Sequence, residues 1–251
     1  MRVGLFIPCY VDLLYPRVGL ATVELLERHG FEVDYPEAQT CCGQPMGNAG
    51  FRDEAARLAK RFLDVFDGYD HVVAPSGSCV AMVRRHYEDL LESTPALERV
   101  RERTWELCEF LTDVAGAEIA GSFPHRVAVQ PSCHGLRELR LGPGSERRDP
   151  ARDKVRSLLA PLRGIELVEP LRRDECCGFG GTFAVDEGAV ATMMGRDRLD
   201  DFARAGAEIV TATDVSCLAH LGGLVGREGR PLRVMHVAEI LAVATAEAAP
   251  R

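Results

Sequence analysis

The chain is written twice, and any fold it adopts has to satisfy both copies. An apolar run ending in Pro8-Cys9 has its partner in Val127-Ala128-Val129-Gln130-Pro131-Ser132-Cys133. Cys41-Cys42-Gly43 is matched by Cys176-Cys177-Gly178. The segment Val72-Val73-Ala74-Pro75-Ser76-Gly77-Ser78-Cys79 is matched by Ile209-Val210-Thr211-Ala212-Thr213-Asp214-Val215-Ser216-Cys217. Each copy closes on a similar stretch, Glu106-Leu107-Cys108-Glu109-Phe110-Leu111 and His236-Val237-Ala238-Glu239-Ile240-Leu241. Four landmarks recurring in one order imply two homologous tandem modules. They are expected over residues 1–118 and 119–251, joined near 115–124.

Within each copy, strand and helix signals alternate. Short β-branched or aromatic runs bounded by turn residues predict strands at 3–8, 31–35 and 71–74, and again at 127–130, 165–168 and 209–211. A helix is expected over 12–29, stopped by Gly30. Another carries Ala55, Leu58, Ala59, Phe62, Leu63 and Phe66 at helical spacing. A third should follow Asp186 and end near Gly206. Alternation of this kind predicts an α/β fold, each module a parallel sheet flanked by helices. Sites in such sheets form beyond the carboxyl ends of the strands, where Cys9, Cys79, Cys133 and Cys217 are expected. The stretch 142–150 reads as an exposed charged loop, and the Ala-rich tail after Val243 as a fraying terminus.

The cysteines decide the chemistry. Of 251 residues nine are Cys, and the formal net charge is −8 with no block of Lys or Arg, which argues against nucleic-acid binding. No apolar stretch is long enough to span a bilayer, and the N-terminus reads as a first strand rather than a signal peptide, so a cytoplasmic location is expected. In a reducing compartment, cysteines in such number point to metal binding or redox chemistry. Buried Cys also serves as a small hydrophobe, and that is the reading for Cys108, whose counterpart in the repeat is Val237. It does not account for two Cys-Cys-Gly sequences, each joined by two further cysteines at matching points.

The candidate metal ligands are therefore Cys9, Cys41, Cys42 and Cys79 in the first module and Cys133, Cys176, Cys177 and Cys217 in the second. Thiolates are the usual ligands of iron–sulfur clusters and also suit zinc. Two consecutive side chains reach several irons more easily than one tetrahedral ion, which favours a cluster. Gly43 and Gly178 remove side-chain bulk beside each pair and let backbone N–H groups approach sulfur.

The order Cys…Cys-Cys-Gly…x-x-Cys, present twice, resembles the cysteine-rich CCG domain found in heterodisulfide reductase and in the iron–sulfur component of glycolate oxidase. With Phe6-Ile7-Pro8-Cys9, Ala74-Pro75-Ser76-Gly77-Ser78-Cys79 and Asp214-Val215-Ser216-Cys217, the chain looks most like the lactate utilization protein A family, over nearly its whole length. The resemblance implies an iron–sulfur electron-transfer subunit of an L-lactate-oxidising complex, producing pyruvate. Its implied partners are a ferredoxin-type iron–sulfur subunit, LutB, and LutC. The fullest family pattern ends in Cys-x-x-Cys. Here Ser76 and Asp214 take the first of those positions, leaving four cysteines per module. That points to one 4Fe-4S cluster in each module, with zinc in one of them as a variant. Asp214 is a candidate oxygen ligand; Ser76 reads as a helix cap.

Other candidates carry weaker signals. His134 and His220 follow cysteines and are possible donors to cluster sulfur, as is His236 if the closing helix turns it towards the site. Arg172 and Arg173 stand shortly before Cys176 and would offset thiolate charge, although two solvated arginines in a turn explain them equally well. Met193 and Met194 read as core. Gly178-Phe179-Gly180-Gly181 lacks the glycine spacing of a dinucleotide site. Two competing functions stay open at this stage: a heterodisulfide or thiol reductase, and a zinc-stabilised interaction protein without enzymatic activity.

Overall fold

A computed structural model of the chain describes residues 1–145 and 152–246, with the side chain of Ala246 left aside. In chain order the first half builds β1 (Arg2–Leu5), α1 (Cys9–Leu14), α2 (Pro16–Arg28), β2 (Glu32–Asp34), α3 (Gln44–Asn48), α4 (Arg52–Phe66), β3 (His71–Ala74), α5 (Gly77–Ala81), α6 (Pro95–Arg103), β4 (Thr104–Glu106) and α7 (Leu107–Asp113). A π-helical turn, Met82–His86, continues α5. The second half builds β5 (Arg126–Val129), α8 (Cys133–Arg137), α9 (Lys154–Leu159), β6 (Glu166–Leu167), α10 (Phe183–Asp186), α11 (Gly188–Arg204), β7 (Ile209–Ala212), α12 (Val215–Glu228), β8 (Arg233–His236) and α13 (Val237–Ala246).

The strands form two parallel sheets of identical topology, ordered β2-β1-β3-β4 and β6-β5-β7-β8. Three of four residues in β1, β3 and β5 are buried, as expected for strands covered by helices on both faces. In each sheet the chain leaves the first strand in one direction and the third in the other, so a crevice opens at their carboxyl ends. Cys9 and Cys79 follow β1 and β3; Cys133 and Cys217 follow β5 and β7.

Three apolar clusters hold the molecule together. One centres on the first module around Phe6, Phe62, Phe66 and Tyr87 and takes in Leu139 and Leu141 of the second, and one lies within the second around Leu199, Phe202 and Leu221. The third is shared: Leu25 and Leu26 of α2 and Phe110 of α7 pack in one core with Leu159 of α9 and Ile240 and Leu241 of α13. The two halves are thus fused by a continuous hydrophobic interior, which fixes one sheet relative to the other.

The structure corrects several sequence expectations. The helix expected over 12–29 is two helices, broken at Tyr15 (φ −133°) before Pro16, because proline disfavours helical backbone on the residue ahead of it. Each sheet gains a fourth strand just ahead of its closing helix, where local pattern predicts none. His236 therefore ends β8 and does not lie on that helix. Met193 is 64% exposed, not core, and Met194 is only half-buried. The helix continues past Val243 to Ala246, with Ala244 fully buried. Of the loop 142–150, residues 146–150 lie outside the described residues, as do 247–251 of the tail.

Candidate metal centre

The eight thiols of the two repeats line a single cavity of about 260 Å³, between the carboxyl ends of the two sheets. In the first module they form a row. Cys9 Sγ lies 4.0 Å from Cys41 Sγ, and Cys42 Sγ lies 3.3 Å from Cys79 Sγ. The adjacent pair thus divides, one sulfur facing the residue after β1 and the other the residue after β3. In the second module the free thiol of Cys176 interacts with those of Cys133 and Cys177, and that of Cys177 with Cys217. Cys42, Cys79, Cys177 and Cys217 are the buried members, and Cys9, Cys41, Cys133 and Cys176 are half-buried. Cys108 is fully buried in the shared core, away from either row.

The glycine after each pair shapes the site. Gly43 has φ +87° and Gly178 φ +91°, backbone conformations that side-chain-bearing residues resist. That turn aims Gly43 N–H at Cys41 Sγ (3.4 Å) and Gly178 N–H at Cys176 Sγ (3.3 Å). The Cys41 thiol is drawn down to about 3 by hydrogen bonds from Cys42 and Cys9, aided by the Gly43 N–H and opposed by burial. Cys176 falls to about 2 through Cys133 and Cys177, with the Gly178 N–H adding to it. Cys9, Cys42, Cys133 and Cys177 are pushed up, first by donating to those neighbours and then by burial. Each row therefore favours a thiolate at the first cysteine of its pair, the species that ligates metal.

Different residues brace the two rows. In the first module Gln39 accepts from Ile7 N–H (2.7 Å) and donates to the Leu5 carbonyl (3.0 Å), tying the loop before Cys41 to β1. The buried Tyr87 hydroxyl donates to the Cys42 carbonyl at 2.9 Å. In the second module a guanidinium with no solvent exposure takes over. Arg198 donates to Gln130 (2.6 Å), to the carbonyls of Arg172 (2.5 Å) and Arg173 (3.0 Å), and to Asp201 (3.1 Å). Gln130 in turn donates to the Glu175 carbonyl at 3.1 Å, immediately before Cys176. Burial lowers Arg198 to about 10, with Asp201 opposing, so it stays charged.

The sequence reading missed Arg198. A signal was present: on α11 it shares the buried face of Ala191, Gly195, Leu199 and Phe202, and arginine on such a face implies a partner. The arginines singled out from the sequence do other things. Arg172 pairs with Glu175 and Arg173 with Glu169, both at the surface. Gln39, Gln130 and Ser78 also went unmarked.

The remaining candidates fall in different places. His134 lines the cavity and reaches across to Gln44 of the other module, Nε2 to Nε2 3.2 Å. His220 ties α12 to α11 through the Ala191 carbonyl (3.0 Å). His236 is fully buried, and its Nδ1 accepts from Ala238 N–H at 3.1 Å. Ser76 caps α5, accepting from Cys79 N–H at 3.3 Å. Asp214 lines the cavity, but both its oxygens already accept hydrogen bonds from the first module.

The donor set fits a thiolate-bound metal or iron–sulfur centre. Each module supplies four sulfurs and a glycine N–H directed at one of them. Among the described residues no three His, Cys, Asp or Glu side chains are arranged to hold a single metal ion. Also among the described residues, no helix is long and apolar enough to cross a membrane.

Comparison with known proteins agrees with the duplication. The family model for the cysteine-rich domain (CCG) matches residues 3–84 and again 127–222. The chain is 42% identical to lactate utilization protein A of Geobacillus thermodenitrificans, covering 96% of this chain and 98% of that protein. It is 38% identical to lactate utilization protein A of Bacillus subtilis, covering 96% and 99%. Among solved structures, glutamate racemase RacE1 of Bacillus anthracis overlays 97% of this chain and 79% of its own at a TM-score of 0.39 and 11% identity, a likeness too weak to assign an activity. With the domain found in both halves and these relatives matching end to end, the chain belongs to the lactate utilization protein A family of cysteine-rich (CCG) domain proteins.

Proposed function

We propose that this chain is an iron–sulfur electron-transfer subunit of a cytoplasmic system that oxidises L-lactate to pyruvate. Cys9, Cys41, Cys42 and Cys79 would hold one cluster and Cys133, Cys176, Cys177 and Cys217 the other, each of the 4Fe-4S type. The observation that carries the reading is the single cavity lined by all eight thiols. The family relatives' name supplies lactate, and ferredoxin-type LutB and LutC are the expected partners.

When bound, such clusters accept and release single electrons at potentials set by charge, hydrogen bonds to sulfur and solvent exposure. The chain's own residues serve that chemistry. Gly43 and Gly178 direct N–H groups at sulfur, which favours the thiolate form. Gln39 and Tyr87 hold the first row, and Gln130 and Arg198 hold the second. Burial of Cys42, Cys79, Cys177 and Cys217 limits contact of the inner sulfurs with water.

The test is growth. A deletion strain that has no other lactate dehydrogenase should fail on L-lactate and recover with the wild-type chain, but not with Cys42→Ser or Cys177→Ser. Wild-type growth of the deletion strain would contradict the proposal.

A further inference from the structure

We propose that Asp214 is a positioning residue that latches the second module to the first, keeping the two thiol rows on one shared cavity. The role rests on the two-centre reading above. Asp214 stands at the N-cap of α12, a place where aspartate ordinarily accepts a bond from its own helix. It makes none. Ser76 and Ser132, at the N-caps of α5 and α8, do cap their own helices. The Asp214 carboxylate is 2% exposed and turned wholly across the seam. Oδ1 accepts from Ser76 Oγ at 2.8 Å and from Ser78 Oγ at 2.7 Å, and Ser78 N–H lies 3.1 Å from Oδ2 and 3.2 Å from Oδ1.

The neighbouring atoms follow it. Gly77 N–H donates to the Thr213 carbonyl at 3.3 Å, again from one module to the other. A methyl group on Gly77 would stand 3.1 Å from Ser132 Oγ, 3.2 Å from Asp214 Oδ2 and 3.2 Å from Gly135 Cα, so the approach of α5 to the second module leaves little room for a side chain. The latch lies beside the inner thiols, since Ser78 precedes Cys79 and Asp214 begins the helical turn that carries Cys217. A buried carboxylate with three donor groups is satisfied as an anion, and hydrogen bonds to a charged acceptor are the stronger kind. Both its oxygens being engaged, Asp214 acts on the cavity by holding its walls.

Two measurements on the full chain decide this. The first is hydrogen exchange on the metal-free chain. Asp214→Ala, a change in the second module, should speed exchange of the Gly77 and Ser78 amides in the first by about tenfold or more. Asp214→Asn, which keeps the shape but offers one accepting oxygen, and Ser78→Ala should shift exchange in the same direction by less. Unchanged exchange in the first module would overturn the latch.

The second is EPR on the reduced, cluster-loaded chain. Wild type should show magnetic interaction between its two centres. Asp214→Ala should keep its iron but lose or weaken that interaction, and an unaltered interaction would also overturn the latch. If the wild-type chain takes up no iron and sulfide, the functional reading fails, while the exchange result still decides the latch.

Discussion

The two modules place their cysteines alike and brace them differently. At the loop before the Cys-Cys pair, the first module uses a neutral glutamine, Gln39, bonded to the backbone of the first strand and its exit. The second uses Gln130 and the buried cation Arg198, compensated by Asp201. At the end of the outer strand, Glu106 of the first module corresponds to His236 of the second. Both are fully buried, and both accept from the first turn of the helix that follows. The difference teaches that the strand–turn–cysteine geometry is what the duplication retains. The means of holding it need only satisfy the same backbone groups, by a neutral amide in one copy and an ion pair in the other.

That contrast can be broken most severely at Arg198. Arg198→Met should cost about 3–5 kcal/mol, because it leaves the buried Asp201 carboxylate without its counter-charge, held only by the Leu171 and Arg172 N–H groups, and frees two loop carbonyls. Gln39→Ala, which loses two neutral bonds, should cost about 1–3 kcal/mol. Denaturant unfolding compares them, and metal analysis should find the second module's centre weakened in the first variant and the first module's in the other. Equal costs would mean that the buried charge contributes nothing beyond its hydrogen bonds.

The glycines give a smaller difference. Gly43→Ala should cost about 1–2 kcal/mol from positive φ alone. A methyl group at Gly43 stands 3.3 Å from its nearest neighbour, the Ala55 carbonyl oxygen. At Gly178 it would come within 2.6 Å of the Ala191 carbonyl oxygen and 2.8 Å of Met194 Cβ. Gly178→Ala should therefore lose a further 1–3 kcal/mol or so through overpacking. Thermal unfolding of the two variants side by side checks the order.

The last contrast is read as a pH slope. Burial pushes the Glu106 carboxyl from its ordinary 4.5 up to about 8, opposed by the N–H groups of Glu109 and Cys108 and aided by the charges of Glu109 and Asp214. The folded chain then holds a proton that the unfolded chain has lost. The contribution is fully present below the ordinary value and is lost as pH rises to about 8. His236 is lowered by burial to about 4, so its contribution is present above 6.5 and lost as pH falls towards 4. Between about pH 6.5 and 8 Glu106 dominates, with a slope approaching about 1.4 kcal/mol per pH unit. Glu106→Gln should flatten that stretch and, between about pH 4.5 and 6.5, unmask the rise in stability with pH that His236 alone gives. A variant that follows the wild-type curve would refute the assignment.

Much of this architecture was legible in the sequence, because the duplication states each element twice. The Cys-Cys-Gly landmarks and the strands before Cys9, Cys79, Cys133 and Cys217 could be read from local pattern alone. The outer strands could not. Thr104–Glu106 and Arg233–His236 are short and carry charge at their ends, and pairing with β3 and β7 makes them strands. The split at Tyr15 was hidden by an apolar pattern that continues across Pro16, although proline itself marked it. The seam was beyond reach for another reason: Ser76 and Asp214 meet across 138 residues of chain. Only the packing of one module on the other brings them together. Arg198 was marked by its place on an apolar helix face, but its two carbonyl acceptors, on a loop about 25 residues upstream, were not.

The central claim is that two matched thiol rows hold two clusters. Its most direct test is iron, zinc and acid-labile sulfide content after strictly anaerobic purification, with EPR on the reduced protein, for wild type, Cys42→Ser and Cys177→Ser. The account predicts about eight irons and eight sulfides per chain in wild type, about half of each in either variant, and a reducible EPR signal. Zinc without sulfide in the wild-type chain would contradict it.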